Sequence, residues 1–592
     1  MKEKRFLDIK PKNNKQKPLD KRMRSLVYCF SLAALLIIAR LFDFQILKFD
    51  FYAALASDQH EIYQKLFPER GTIYLEDKEL SVLTKQDNLY PVALNKDYNL
   101  VYAQPKYLDK APEEIAKTLA PILEMKEEDL FLKLSKSDDP YEPLKHKVED
   151  SVAENIRNLM IKGVKITKEI FRYYPEKNIG ANVYGFVGLA PDGQKSGQYG
   201  VEGYFDKELG GQQGEVLSEK DITGHFISIV DKKFTRAKDG DDIVLTLDKT
   251  LQYEICSQFN EHGKVIEADN GAVIVMDPKS GAIIAMCSYP DFDPNDYNKV
   301  DNLGVYNNHA IYDAYEIGSI FKPITMAIGL DLDKVTPETT YFDDGLVKID
   351  KFTIRNHDKL AHGKMTMTQV LEKSLNTGAI FVARQIGKKD FKSYVQKFGF
   401  GQKTGIELAS EGAGNIESLN LKGEIYMATG SFGQGITATP LQMVQAFSAL
   451  ANNGEMVKPY IVEEIRKFNG TIIKTEPKKL GKIISSKAAT LLTGMLVSVV
   501  ENGEGSKAKI PGYYLAGKTG TAQIPDYEHG GYSNKNNHTF IGYAPIKDPA
   551  FVMIIKFENP KKGSFASVST APLFSRLSKL ILDYYHIPPD AL

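Results

Sequence analysis

The chain has 592 residues, of which 43% are hydrophobic and 26% charged, and its formal net charge is -1. This length predicts roughly two to four domains of ordinary globular composition. A net charge so close to zero argues against nucleic-acid binding by bulk electrostatics. We found no phosphate-binding loop and no His-Glu-x-x-His motif, and the three cysteines show neither a disulfide framework nor a zinc spacing. We therefore expect no metal and no other cofactor.

The N-terminal segment is basic and then apolar. Residues 1–24 are rich in lysine and arginine, and Ser25–Ala39 carries no charge before Arg40 interrupts it. If Arg40 snorkels to an interface, residues 25–47 reach the length of about 20 residues that a membrane span needs. A buried core helix and a cleaved signal peptide are the alternatives, but no small-residue cleavage site follows. We predict an uncleaved anchor at 25–47 with the tail 1–24 in the cytoplasm and the remainder outside.

The next region, residues 48–240, has a mixed pattern. A turn at Arg70–Gly71 leads into a strand, and segments near 112–135 and 150–162 have helical spacing. The glycines that follow are most simply explained as turns, and none of these segments identifies a chemistry. We predict an elongated, non-catalytic α+β pedestal.

The last region, residues 241–592, alternates β-rich and helical segments. A strand and a helix at 249–262 precede a strong hairpin of Gly271–Met276 and Ala282–Cys287, joined by a Pro-x-Ser-Gly turn. Further helices are predicted near 365–397, 438–452, 486–502 and 573–585, and further strands near 515–524, 539–543 and 550–557. The order favours an antiparallel sheet flanked by helices on both faces, which is an α/β (α+β) fold.

One stretch combines a hydroxyl and an amine at helical spacing. Ser319 and Lys322 lie three residues apart, after Gly318 and at the start of an apolar run. A serine becomes a good nucleophile when a neighbouring base takes its proton, and a lysine can be that base when burial and a nearby cation keep it neutral. The alternative is a helix cap with a solvated lysine.

Two further motifs would complete a site for acyl transfer. Ser374 and Asn376 could supply a proton path and a donor for a substrate amide. Lys518-Thr519-Gly520-Thr521 could bind a carboxylate with its amine and hydroxyls, while Gly520 permits close approach of a substrate backbone. Similar tripeptides at Ser418–Asn420 and Lys403–Gly405 lie in turn-like contexts and are interpreted as polar turns.

The three motifs in this order resemble the signature of penicillin-binding proteins and serine β-lactamases. Over residues 24–592 the chain is similar to class B penicillin-binding proteins, especially the FtsI type that builds the division septum. The segments that carry this likeness are Arg70–Ile73, Arg172–Pro175, Gly200–Gly203, the hairpin at 271–287, Phe432–Gly435 with Thr439–Pro440, and Ala571–Phe574.

The resemblance implies a membrane-anchored peptidoglycan D,D-transpeptidase. Ser319 would attack the bond between two terminal D-alanines with Lys322 as base, and Ser374 and Lys518 would pass the proton to the leaving D-alanine. Asn376 would hold the peptide amide. Thr519 and Thr521 would bind the terminal carboxylate, and a β-lactam would acylate the same serine.

The resemblance also suggests partners and leaves alternatives. Stem peptides, β-lactams, the bacterial inner membrane, a SEDS-type glycan polymerase and divisome proteins are the expected partners, and nucleic acid is not. An elongation-type transpeptidase, a D,D-carboxypeptidase, a β-lactamase and a non-catalytic β-lactam sensor or scaffold remain as alternatives. The spacing of Glu417 and Asn420 does not fit the deacylating loop of class A β-lactamases.

Overall fold

The computed structural model describes residues 21–42, 68–137, 139–190, 195–216, 234–526 and 529–590. Residues 69–212 and 238–592 form one compact unit, and a second unit contains the remaining described residues. In the second unit, Lys21–Phe42 is a helix, and Glu215–Val216 pairs with Phe234–Thr235. Among the described residues, no helix has the combination of length and hydrophobicity that a bilayer crossing requires. Residues 43–47 of the predicted anchor lie outside the described residues.

The pedestal region is built around a seven-stranded sheet. Its strands run in the order Ile472–Lys474, Val462–Arg466, Asp242–Asp248, Ile73–Glu76, Leu89–Ala103 and Glu142–Val148, with Val164–Tyr173 also pairing with Leu89–Ala103. The helices of this region are Lys78–Thr84, Pro112–Leu123, Glu127–Leu134, Asp150–Asn158, Ala181–Tyr184, Gly200–Tyr204 and Asp206–Gly210. The predicted helical segments near 112–135 and 150–162 are therefore confirmed. The boundary at residue 240 stays a prediction.

A buried ion cluster joins three pedestal segments that are distant in sequence. Glu202, whose side chain is fully buried, accepts hydrogen bonds from Arg70 Nε at 2.7 Å and from Arg172 Nε at 2.6 Å. Arg70 also pairs with Asp206 at 2.7 Å. A buried carboxylate is tolerated when such partners satisfy it. The three segments Arg70–Ile73, Arg172–Pro175 and Gly200–Gly203 thus meet at one point.

The C-terminal region has the expected antiparallel sheet between two layers of helices. Its five strands run in the order Ile283–Tyr289, Asn270–Met276, Phe551–Glu558, Tyr532–Ala544 and Ala516–Pro525, and every neighbouring pair is antiparallel. We call the terminal strand Ala516–Pro525 the edge strand. Alternate side chains enter opposite cores, because successive residues of a strand point to opposite faces. The predicted hairpin and fold class are confirmed.

Each face of this sheet is covered by its own helices. One core contains apolar side chains from the helices Lys322–Asp331, Pro440–Ala451 and Ser486–Asn502, and the other contains those from Lys249–Val265 and Ala571–Tyr584. The remaining helices are Met367–Glu372, Asn376–Ile386, Lys388–Lys397, Glu424–Gly430 and Ala566–Ser569. Short two-stranded pairs lie outside the main sheet: Tyr315–Glu316 with Thr437–Ala438, Thr340–Asp343 with Gly363–Thr366, Leu346–Ile349 with Phe352–Arg355, and Glu455–Val457 with Lys479–Lys482.

The expectation that the cysteines form no disulfide is wrong. Cys256 and Cys287 are bonded, with their Cα atoms 5.5 Å apart and a sequence separation of 31 residues. The helix Lys249–Val265 packs on the strand Ile283–Tyr289, and this packing brings the two thiols together. Sequence spacing could not show the pairing, because it depends on how the helix lies across the sheet.

Candidate active site

The nucleophile candidate lies in a tight turn that opens a buried helix. Gly318–Phe321 is a 3₁₀ turn that continues into the helix Lys322–Asp331, and the Lys322 N–H donates to the Ser319 carbonyl. Side chains three residues apart eclipse each other in a 3₁₀ turn, which sets Lys322 beneath Ser319. Ser319 is half-buried and Lys322 is buried. We call Gly318–Phe321 the nucleophile turn, after the candidate that it carries.

Ser374 contacts the amine of Lys322. Lys322 Nζ donates to the carbonyl oxygen of Ser374 and lies 3.2 Å from its Oγ. Ser374 is buried and has a φ of 54°, which is uncommon for a residue other than glycine and is found at strained functional turns. It lies in the short turn between the helices Met367–Glu372 and Asn376–Ile386. This turn aims the hydroxyl at the lysine.

The edge strand packs directly on the nucleophile turn. A Cβ at Gly520 would stand 2.9 Å from Ile320 Cγ2 and 2.4 Å from Thr539 Oγ1. Gly318, with a φ of 65°, approaches Ala522 so closely that a Cβ would stand 2.7 Å from the alanine Cβ. Glycine at both positions therefore lets the strand and the turn approach each other. Ser319 is brought beside the third motif by this contact.

The two lysines form an electrostatically coupled pair. Burial lowers the pKa of Lys322 well below the ordinary lysine value, the positive charge of Lys518 lowers it further, and the Glu504 carboxylate raises it. Burial also lowers the pKa of Lys518, and Glu504 again opposes that shift. A lowered lysine pKa provides the neutral amine that a general base requires.

The remaining predicted residues, Asn376, Thr519 and Thr521, make local polar contacts. The Asn376 amide donates to the Arg355 carbonyl at 2.9 Å, which leaves its carbonyl oxygen to accept from a ligand. Lys518 Nζ lies 3.3 Å from Thr519 Oγ1, and Thr521 Oγ1 accepts from the Ala566 N–H at 3.2 Å. Thr519 is buried and Thr521 is exposed.

The two similar tripeptides, at Ser418–Asn420 and Lys403–Gly405, belong to other segments of the chain. Ser418 is part of a 3₁₀ turn at Glu417–Asn420 and donates to the Gly435 carbonyl at 2.6 Å. Lys403 is exposed and lies outside helices and strands. Within the described ranges, no group of three or more His, Cys, Asp or Glu residues could hold a metal ion.

Sequence reasoning missed two groups at this site. Glu504 Oε1 lies 3.4 Å from His357 Nε2, and Glu504 Oε2 lies 3.9 Å from Lys518 Nζ. Glu504 precedes Lys518 by 14 residues between two glycines, and His357 follows a short strand. Neither position has a motif that could have identified it.

Comparison with known proteins shows the family of this chain. Residues 271–579 match the family described as Penicillin binding protein transpeptidase domain, and residues 65–245 match Penicillin-binding Protein dimerisation domain. Stage V sporulation protein D of Bacillus subtilis is 34% identical over 90% of this chain and 81% of its own length. Peptidoglycan D,D-transpeptidase FtsI of Buchnera aphidicola is 30% identical, covering 85% and 86%. The chain therefore belongs to the class B penicillin-binding proteins, which are serine-type peptidoglycan D,D-transpeptidases.

Solved structures share the fold. Penicillin Binding Protein 2X from Streptococcus thermophilus superposes with a TM-score of 0.71 at 23% identity, covering 88% of this chain and 80% of that chain. The apo-form of Penicillin binding protein 3 from Mycobacterium tuberculosis gives a TM-score of 0.63 at 29% identity, covering 71% and 92%. The pedestal and the helix-flanked sheet are thus an architecture seen in other penicillin-binding proteins.

Proposed function

We propose that Ser319 is the nucleophile of this transpeptidase and that Lys322 is its general base. The contact between the buried Lys322 and Ser374 carries this proposal, because it holds the amine in a cleft where burial and Lys518 favour its neutral form. Lys322 removes the hydroxyl proton of Ser319 as the oxygen attacks the carbonyl between the two terminal D-alanines. Backbone N–H groups of Ser319 and Thr521 stabilise the oxyanion.

The second half of the reaction uses the other two motifs. Ser374 and Lys518 deliver the proton to the departing D-alanine amine, and Asn376 accepts from the amide of the stem peptide. Thr519 and Thr521 bind the terminal carboxylate. An amine from a neighbouring strand then takes the acyl group from Ser319, regenerates the hydroxyl and forms the cross-link. A β-lactam forms the same acyl bond to Ser319, which inhibits the enzyme.

A labelling experiment tests the nucleophile. Ser319→Ala should abolish covalent labelling by a fluorescent penicillin, with mass spectrometry placing the wild-type adduct on Ser319. Ser418→Ala is the matched control, since Ser418 shares the Ser-x-Asn pattern but lies in a separate turn, and it should label at the wild-type rate. Labelling of the Ser319→Ala protein at the wild-type rate would refute the assignment.

Product analysis with stem peptides distinguishes an amine acceptor from water, and so a transpeptidase from a carboxypeptidase.

We place the enzyme in septal wall synthesis, which the relatives named FtsI support. The relative named Stage V sporulation protein D favours a second role, in sporulation. Depletion in growing cells should give filaments if the role is septal, and should spare growth but block spore formation if it is sporulation-specific. Rounded cells would instead indicate an elongation-type enzyme.

We further propose that residues 25–47 anchor the chain in the bacterial inner membrane. The basic tail 1–24 would be cytoplasmic and the active site extracytoplasmic, as the charge pattern of the N-terminal segment supports. On this arrangement a SEDS-type glycan polymerase and divisome proteins are the partners. Alkaline carbonate washing of membranes should leave the full chain in the pellet and release a chain that begins at residue 48.

A further inference from the structure

A carboxylate that the mechanism above does not use lies at one end of the catalytic cleft. Glu504 Oε2 is 3.9 Å from Lys518 Nζ, and Thr519 Oγ1 donates to the same oxygen at 3.4 Å. Glu504 Oε1 is 3.4 Å from His357 Nε2. The Glu504 side chain thus contacts Lys518 and Thr519 of the third motif, and also His357 in the loop that follows Arg355. The Arg355 carbonyl in turn accepts a hydrogen bond from Asn376.

Backbone contacts fix the position of this carboxylate. The Glu504 N–H donates to the Glu372 carbonyl at 3.1 Å, and a Cβ at the preceding Gly503 would stand 2.7 Å from the same oxygen. Glu372 ends the helix that leads into Ser374. The chain at Glu504 is therefore held against the second motif while its side chain reaches the third.

Lys518 needs a countercharge in this setting. Its side chain is fully buried, and burial of an ammonium group without a partner favours loss of its proton. In the part of the chain that the structure describes, Glu504 is the carboxylate that forms an ion pair with Lys518.

The other charged groups around the cleft do not replace it. Lys322 carries the same sign as Lys518 when protonated, and His357 contacts Glu504 from the far side. The Glu372 carboxylate accepts a hydrogen bond from Ser498. Glu501, which like Ser498 lies on the helix Ser486–Asn502, pairs with Lys509.

We propose that Glu504 is a positioning residue that keeps Lys518 protonated in the free enzyme. When an acyl donor binds, its terminal carboxylate takes over from Glu504 as the countercharge of the Lys518 ammonium group. This rests on the proposed function, in which Lys518 passes on the proton while the neighbouring Thr519 and Thr521 bind that carboxylate. A protonated Lys518 in turn disfavours a second positive charge on Lys322. The cleft should therefore prefer acyl donors that end in a carboxylate, because the donor carboxylate can replace the Glu504 carboxylate beside Lys518.

The pH dependence of acylation tests the proposal. The second-order rate of labelling by fluorescent penicillin is measured on the full chain from about pH 5.5 to 10 for wild type, Glu504→Gln and Glu501→Gln. Loss of the countercharge lets Lys518 deprotonate more easily, so the alkaline limb of the Glu504→Gln profile should move down by about one pH unit. The same change removes a negative charge near Lys322, so the acid limb should not move up.

The control and a conservative variant make the result decisive. Glu501 is as exposed as Glu504, at 34%, and is ion-paired to a lysine outside the cleft, so Glu501→Gln should leave both limbs in place. Glu504→Asp keeps the negative charge but places it farther from Lys518, so the alkaline limb should shift less, in the same direction. This variant keeps the test available even if Glu504→Gln does not fold.

Three results would overturn the proposal. The pH profile of Glu504→Gln could have both limbs where wild type has them, its labelling rate could be lowered equally at every pH, or Glu501→Gln could show the same shift. A wild-type chain that is not labelled at Ser319 would instead remove the proposed function itself. A wild-type chain that is labelled, with an unmoved profile for Glu504→Gln, rejects the countercharge alone.

Discussion

Lys322 shows how single residues define the chemistry of this cleft. Its amine is buried, contacts Ser374 and is electrostatically coupled to Lys518. Burial and the positive charge of Lys518 outweigh the opposing carboxylate of Glu504, and they favour a neutral amine at a pH where an exposed lysine is protonated. Acylation should therefore persist well below the ordinary lysine pKa and decline only as the pH falls through the lowered pKa of Lys322.

Gly520 is the residue at which the edge strand meets the nucleophile turn. Gly520→Ala should lower the acylation rate about 100-fold, because its Cβ would stand 2.4 Å from Thr539 Oγ1 and 2.9 Å from Ile320 Cγ2 and would displace the turn. The measurement is the rate of penicillin labelling alongside thermal unfolding. Gly494→Ala, where a Cβ meets nothing within 4 Å, is the control and should label normally. A wild-type rate in Gly520→Ala would show that the approach is looser than the structure indicates.

At the scale of elements, the pedestal segments are held together by one buried carboxylate. Glu202→Gln should lower the free energy of unfolding by about 3–5 kcal/mol, because the buried Arg172 would lose its carboxylate partner and Arg70 would keep only Asp206. Urea unfolding measures the loss. Glu114→Gln, which breaks an exposed ion pair with Lys110, should cost less than about 0.5 kcal/mol. Equal effects of the two changes would contradict a structural role for the cluster.

At the scale of the whole molecule, the disulfide connects a helix to the main sheet. Its loss in a Cys256→Ala, Cys287→Ala double variant should lower the free energy of unfolding by about 3–4 kcal/mol, because it closes a loop of 31 residues. Urea unfolding with and without reductant measures this. Reductant should destabilise wild type and leave the double variant unchanged. A wild-type protein that is insensitive to reductant would contradict the prediction.

The sheet of the pedestal also depends on distant parts of the chain. The strand Val462–Arg466, from the middle of the C-terminal region, pairs with Asp242–Asp248, which in turn pairs in parallel with Ile73–Glu76. The sequence pattern correctly predicted individual strands and helices here, but it contained nothing about this pairing. Alternation along a strand defines a buried face and not the identity of the neighbouring strand.

By itself, the sequence determined the local features of this protein. The three-residue spacing of Ser319 and Lys322, the hairpin at 271–287 and the apolar faces of the helices follow from backbone periods that act over a few residues. The order of the three motifs added the resemblance to penicillin-binding proteins. Only the tertiary structure decided that Lys322 contacts Ser374, that Lys518 lies close enough to lower the pKa of Lys322, that Cys256 bonds to Cys287, and that Glu504 pairs with Lys518. These contacts join segments far apart in the chain, and they arise from the packing of helices on a sheet, which no local pattern specifies.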